Sequence, residues 1–176
     1  MSIVLSLDIS SRSTGHAVFK NGKLLKRSLG TIATKAKTHG ERLEFFEESL
    51  WALIDKYQPT LIVVEDIWYG RNLKTFRILS YYHGIVHKVS WQHNNELPLI
   101  LGTSEVRSLI GQEFDINLMP SKKIRLQMGI EKTSKELTFD FIKNKFKFKD
   151  YVFKTHNDIT DAVAICLAHS LIKEVD

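Results

Sequence analysis

His156-Asn157-Asp158-Ile159-Thr160-Asp161-Ala162-Val163-Ala164-Ile165 is the stretch around which this 176-residue chain is organised. It reads as the start of the last helix, expected over about Asn157 to Lys173. Two aspartates three residues apart lie one above the other on a helix face. The apolar turns that follow direct that face toward the protein body. Carboxylates held so close repel each other and are poorly solvated, which is costly unless a cation sits between them. Further out, two more acids stand where apolar strands would end. Asp8 closes Ile3-Val4-Leu5-Ser6-Leu7, and Glu65 closes Leu61-Ile62-Val63-Val64. Three segments thus deliver acid to the edge of an apolar element, and that pattern points to a divalent-metal site.

The remaining elements follow from periodicity. Residues 2–9 read as a buried strand, and Thr14-Gly15-His16-Ala17-Val18-Phe19 alternates as a second. Asn21-Gly22 signals a type I′ hairpin into a third strand running from Lys23 to about Leu29. From Thr38 to Tyr57 the apolar period becomes helical, with Leu43, Phe46, Leu50, Leu53, Ile54 and Tyr57 on one face. Leu61 to Glu65 is a strand buried on both faces, and a helix–strand alternation of this kind makes a parallel pairing. After a loop from Asp66 to Asn72, a helix from about Leu73 to Gln92 is apolar or aromatic around much of its circumference. One core contact would not use all of that surface, so a second contact, a subunit interface, is expected. Leu97–Leu101 is the fifth strand. Short helices follow at Thr103 and over 121–129, and a capped helix runs from Thr133 to about Phe146. Lys145–Lys149 alternates Lys with Phe, as a strand or an exposed basic turn. The order βββ-α-β-α-β followed by helices is an α/β fold with a mixed five-stranded sheet flanked by helices.

Composition narrows the function classes. The length suits one domain spanning 1–176, with a hydrophobic fraction of 43% and no window approaching a membrane span. The chain opens directly on a strand pattern, with no basic stretch leading into an apolar signal segment. Cys166 is the only cysteine, so no disulfide framework or cysteine metal site can form within one chain. An intracellular setting is expected. Residues 121–150 hold nine basic side chains against four acidic ones, an excess equal to the net charge of +5 for the whole chain. A positive patch beside an acidic cluster suits a polyanion lying across a metal site, although a solvated helical face would show the same charge.

Carboxylates suit Mg²⁺ or Mn²⁺, which prefer hard oxygen ligands. Two such ions about 3.5–4 Å apart can activate a water and stabilise the leaving oxygen of a phosphodiester. Asp8, central on the first strand, is the expected bridging ligand. Glu65 arrives from the neighbouring strand end, and Asp158 and Asp161 complete the set. Asp161 is the better placed of the two, because Asp158 near the helix start would serve as a cap. Asp66 points to the opposite face if the strand continues. His156 is either an auxiliary proton donor near the metals or a cap.

Asp8-Ile9-Ser10-Ser11-Arg12-Ser13-Thr14-Gly15, Glu65-Asp66-Ile67-Trp68-Tyr69-Gly70-Arg71-Asn72 and Asp158-Ile159-Thr160-Asp161-Ala162-Val163-Ala164-Ile165 resemble the three catalytic segments of RuvC-type Holliday junction resolvases. The match runs in order and spacing over nearly the whole chain. It implies a ribonuclease-H-like fold, a homodimer built on the helix around 73–92, and Mg²⁺-dependent two-metal nicking of four-way DNA junctions, with Mn²⁺ as a substitute. The family's acids map onto Asp8, Glu65, Asp158 and Asp161. The aromatic that stacks on junction bases falls at Trp68, and basic residues near the late helix map onto Lys132 and Lys135. Arg12, Arg71, Lys122 and Lys123 are further expected DNA contacts. Ile9-Ser10 replaces the frequent Pro-Gly, and the stretch from Glu113 to Lys123 looks like an insertion. Both bring the chain nearer to divergent, phage-encoded members acting in a bacterial cytoplasm. Two other readings stay open on sequence: a catalytically silent binder of branched nucleic acid, and a ribonuclease-H-like nuclease acting on RNA or simple flaps.

Overall fold

β1 (Ile3–Asp8) pairs antiparallel with β2 (Ser13–Lys20) in a computed structural model that describes residues 1–67 and 72–172. Asn21 and Gly22 both take positive φ, 50° and 73°, as a type I′ turn requires, and return the chain into β3 (Lys23–Leu24). The expected third strand breaks there. A 3₁₀ turn over Lys26–Ser28 precedes β4 (Gly30–Ala33), which pairs with the other end of β2. Ser28 accounts for the break: its buried Oγ accepts from the Val18 N–H at 2.9 Å and donates to the Leu25 carbonyl at 2.7 Å. A side chain thereby satisfies a ladder group that a continuous strand would have satisfied.

Helix α1 (His39–Tyr57) opens on a capping box formed by Thr38 and Glu41. It crosses to β5 (Leu61–Glu65), which pairs parallel with β1. Helix α2 (Leu73–Asn94) then leads to β6 (Leu99–Leu101), parallel to β5. The sheet order is β3-β2-β1-β5-β6, with β4 beside β2, so it is mixed as expected but contains six strands among the described residues. Four further helices follow: α3 (Thr103–Glu113), α4 (Lys122–Met128), α5 (Ser134–Phe146) and α6 (Phe153–Leu171). The Lys145–Lys149 stretch is no strand: Lys145 and Phe146 close α5, and the chain turns only after them. Lys147 is the left-handed C-cap of α5, and Phe148 is buried.

Strand alternation divides the core in two. Leu5, Leu7, Ile62 and Val64 pack with α1 and α2 through Phe46, Leu50, Ile54 and Val86. Val4, Ala17, Phe19 and Val63 face the other way, onto α6 and its neighbours α3 and α5. Among the described residues, no helix is long and apolar enough to cross a membrane.

Candidate active site

The pairing of β1 with β5 sets Ser6 beside Val63 and Leu7 beside Val64, so one further step brings Asp8 next to Glu65. By alternation both acids continue the Val4–Ser6 and Val63 row and therefore face α6. Beside the apolar packing, two features set α6 close to the acid end of that row. The buried Ser6 Oγ donates to the Ala162 carbonyl at 2.7 Å, and Gly15, the β2 partner of Asp8, lets the α6 backbone approach closely. A Cβ on Gly15 would lie 2.0 Å from the Asp158 carbonyl oxygen. Asp158 and Asp161 are thereby carried to the strand ends that bear Asp8 and Glu65.

The electrostatics register this convergence. Burial, with the like charges of Asp161, Glu65 and Asp158, pushes the Asp8 carboxyl well above its usual value, against the pull of Lys135. Burial also raises Asp161, again opposed by Lys135, whose Nζ stands 2.8 Å from Asp161 Oδ2. The other acids have their own partners. Glu65 Oε1 accepts from the Thr103 hydroxyl, and Asp158 Oδ1 accepts from Asn157 Nδ2 at 2.8 Å. Three of the four carboxylates are thus occupied by donors. Among the described residues, no group of three or more Asp, Glu, His or Cys side chains is arranged to hold a metal ion. The donor set nonetheless fits a hard divalent cation, because four half-buried carboxylates on neighbouring strand ends and one helix face supply hard oxygen donors and a surplus of negative charge.

Two of the expected roles change. Asp158 is no cap, because α6 begins at Phe153, a turn earlier than expected, and Asp158 sits in its second turn. His156 lies in the first turn, where its Nδ1 accepts from the Val152 N–H at 3.1 Å while its ring stacks on Tyr151 at 4.4 Å. It is engaged with the helix start rather than with the acids. Two residues that sequence reasoning missed line the cleft beside Glu65 and Asp161: Thr103 and Arg107, one turn apart on α3. Arg107 donates through Nε to Thr138 Oγ1 at 3.3 Å, and its charge favours ionised Asp161. The clue in the sequence was the position of Thr103 just past a strand end, the criterion that selected Asp8 and Glu65.

Comparison with known proteins settles the family. Residues 4–99, more than half of the chain, match the family model described as crossover junction endodeoxyribonuclease RuvC. The chain belongs to the RuvC family. The RuvC of Dictyoglomus thermophilum is 23% identical over 170 residues, covering 95% of each protein. That of Haemophilus influenzae is 25% identical over 174 residues, covering 97% of this chain and 80% of the other. Among solved structures, Thermus thermophilus RuvC in complex with a Holliday junction substrate superposes with a TM-score of 0.67 at 15% identity, over 97% of this chain and 94% of that one. The yeast mitochondrial Holliday junction resolvase Ydc2 gives a TM-score of 0.56 at 13% identity, over 97% and 78%. The fold is accordingly the ribonuclease-H-like α/β architecture that the resemblance implied.

The structure also sorts the basic residues of this RuvC-family chain. Lys135 turns inward to the acids, and Lys132 pairs with Asp140 at 2.5 Å. Lys143 donates to the Tyr151 carbonyl, and Lys145 lies over the Phe114 ring. Lys122 and Lys123 are exposed at the start of α4, with no ion pair among the described residues, and Arg12 is exposed in the turn between β1 and β2. Trp68 and Arg71 lie outside the described residues. On α2, Val86 is completely buried and so faces inward, whereas Ile85 is half-buried against the edge of the same core. The outward face carries Leu73, Tyr81 and Trp91, each more than half exposed at 60%, 51% and 54%.

Proposed function

We propose that this chain is a structure-selective endonuclease that resolves four-way DNA junctions by paired nicks, acting as a homodimer of one nuclease domain spanning 1–176. The observation that carries the reading is the convergence of Glu65, Asp158 and Asp161 on the half-buried Asp8, in a chain of the RuvC family. Asp8, Glu65, Asp158 and Asp161 would hold Mg²⁺, or Mn²⁺ in its place. The chemistry so supplied is that of a two-metal hydrolase: an activated water and a stabilised leaving oxygen at one phosphodiester. Asp8 takes the central position because strand pairing brings Glu65 to its side and helix packing brings Asp161 over it. Thr103 orients Glu65 through its hydroxyl, which fixes one carboxylate oxygen. Arg107, beside Asp161 and anchored on Thr138, also borders the open groove with Thr103 and Ser104, from which it would reach a phosphate.

DNA is held by phosphate contacts from Arg12, Arg71, Lys122, Lys123 and Lys132, with Lys135 at the site itself. Trp68 stacks on bases opened at the crossover. Two nicks in opposed strands require a two-fold pair of sites, and the exposed Leu73, Tyr81 and Trp91 of α2 would supply apolar contact area for such a pair. Branched DNA of this kind arises in a bacterial cytoplasm, from host or phage replication. The deciding test compares divalent-dependent cleavage of a four-way junction with matched duplex, flap and three-way substrates. Preferential paired cleavage of the junction is expected. Equal cleavage of flaps or RNA assigns a broader nuclease, and tight binding with no cleavage assigns a silent binder.

A further inference from the structure

Lys135 occupies a position that its own helix disfavours. It is the second residue of α5, at the end where the helix dipole repels a cation. The capping box of Thr133 and Glu136 fixes that end of α5, and α5 packs against α6. The lysine stem is therefore anchored beside the acids and directs Nζ to within 2.8 Å of Asp161 Oδ2. The ammonium also acts on Asp8 and Asp158, which its charge reaches across the cleft. The two ends differ in access to solvent: the Asp161 side chain is only 14% exposed, the Lys135 side chain 40%. Asp161 is held in place, while Lys135 has room to swing outward on a flexible four-carbon stem.

We propose that Lys135 is a gate on metal loading: in the DNA-free protein its ammonium neutralises Asp161 and excludes a divalent cation, and an incoming phosphate draws it away. The inference rests on the reading of Asp8, Glu65, Asp158 and Asp161 as the metal site. A single ammonium and a divalent ion cannot share one carboxylate edge at close range without strong like-charge repulsion. Without a metal, the cluster needs one counter-charge, and Lys135 provides it. When a phosphodiester enters the cleft, the ammonium exchanges one oxyanion partner for another, since lysine binds phosphate as a point charge. Asp161 is then released to ligate just as substrate is in place. The protein would carry little metal, and nick little, until DNA is bound.

The test titrates Mn²⁺ alone into DNA-free protein by calorimetry, comparing wild type with Lys135→Gln, Lys135→Arg and Asp161→Asn. Lys135→Gln, which removes the repulsion between ammonium and divalent ion, is expected to bind Mn²⁺ more tightly than wild type, on the order of tenfold or more, while Lys135→Arg, which keeps the charge, stays close to wild type. A companion Lys135→Met, of similar length, serves if the Gln variant does not fold. A second readout needs no metal. In EDTA, Asp161→Asn is expected to raise junction affinity by freeing Lys135, and that gain should vanish when Lys135 is also Gln. Unchanged or weaker Mn²⁺ binding in Lys135→Gln and Lys135→Met, with binding still lost in Asp161→Asn, overturns the gate and leaves the metal site standing. Absence of Mn²⁺ binding in every protein overturns the site and the gate together.

Discussion

Gly15→Ala isolates the contact that brings α6 to the strand acids. The added Cβ would lie 2.0 Å from the Asp158 carbonyl oxygen and 2.3 Å from its carbon, both backbone atoms of a helix. No side-chain rotation relieves that contact. To restore even a tight 3.0 Å separation, α6 must lift from β2 by about 1 Å, yet one turn further on it is held by the Ser6–Ala162 hydrogen bond. Overpacking of this kind costs about 1–3 kcal/mol, so the melting temperature of a chain this size should fall by roughly 2–12 °C. Displacing Asp158 and Asp161 from Asp8 by about 1 Å should lower junction cleavage about a hundredfold, with junction affinity little changed. Gly40→Ala, whose Cβ meets nothing within 4 Å, is the control and should neither destabilise nor inactivate. The assay pairs thermal melting with single-turnover cleavage of a labelled junction. A Gly15→Ala protein that melts and cleaves like wild type would refute the claim that close approach at Gly15 builds the site.

Asp8→Asn should keep or strengthen junction binding while abolishing cleavage, since it removes a ligand and a charge that repels phosphate; wild-type cleavage rates would remove Asp8 from the site. Tyr81→Glu and Trp91→Glu, on the outward face of α2, should yield folded monomers that nick without pairing their cuts, whereas Val86→Glu should fail to fold because it buries a charge; light scattering and circular dichroism separate the two, and a wild type that is monomeric on junction DNA would defeat the dimer. Replacing Lys122 and Lys123 by Gln should flatten the salt dependence of junction binding by about two units, and an unchanged slope would return α4 to an ordinary solvated face. His83, buried in α2, has its pKa pushed down to about 4 by burial, with His87 adding to the effect. The unfolded chain therefore takes up the proton first as pH falls, and stability is expected to drop by about 2 kcal/mol between pH 8 and pH 5 on this account. Urea midpoints should show that loss in wild type and its absence in His83→Gln, and equal slopes in the two proteins would discard the assignment.

Much of the fold is written locally. The type I′ turn at Asn21-Gly22, the capping boxes at Thr38 and Thr133, and the apolar face of α1 each depend on residues within a few positions of one another. Such short-range preferences act whatever the rest of the chain does, which is why these elements are legible from the amino acids alone. The four acids are legible for a related reason: a carboxylate at the end of an apolar run is conspicuous, and three such runs recur in family order. Lys135 illustrates the limit. By composition it belongs to a basic stretch, and only the packing of α5 on α6 turns it inward. The same holds for Val86, whose outward or inward aspect on an all-round apolar helix depends on where the sheet lies. Ser28 breaks a strand by bonding to Val18, a partner that no local pattern names.

The amino-acid sequence by itself determined most of the elements and their order, the acids that end two of the strands, and the family resemblance those acids carry. It did not determine the break that makes β4 or the early start of α6. The tertiary structure decided which carboxylates already have partners, how Gly15 admits α6, that Thr103 and Arg107 border the cleft, and which side of α2 faces outward. Those facts rest on pairs such as Ser6 with Ala162 and Lys135 with Asp161, which are far apart along the chain and meet only through packing. Local propensity is a sum over neighbours in sequence, whereas a site is set by distances between elements, and these exist only once both faces of the sheet are covered.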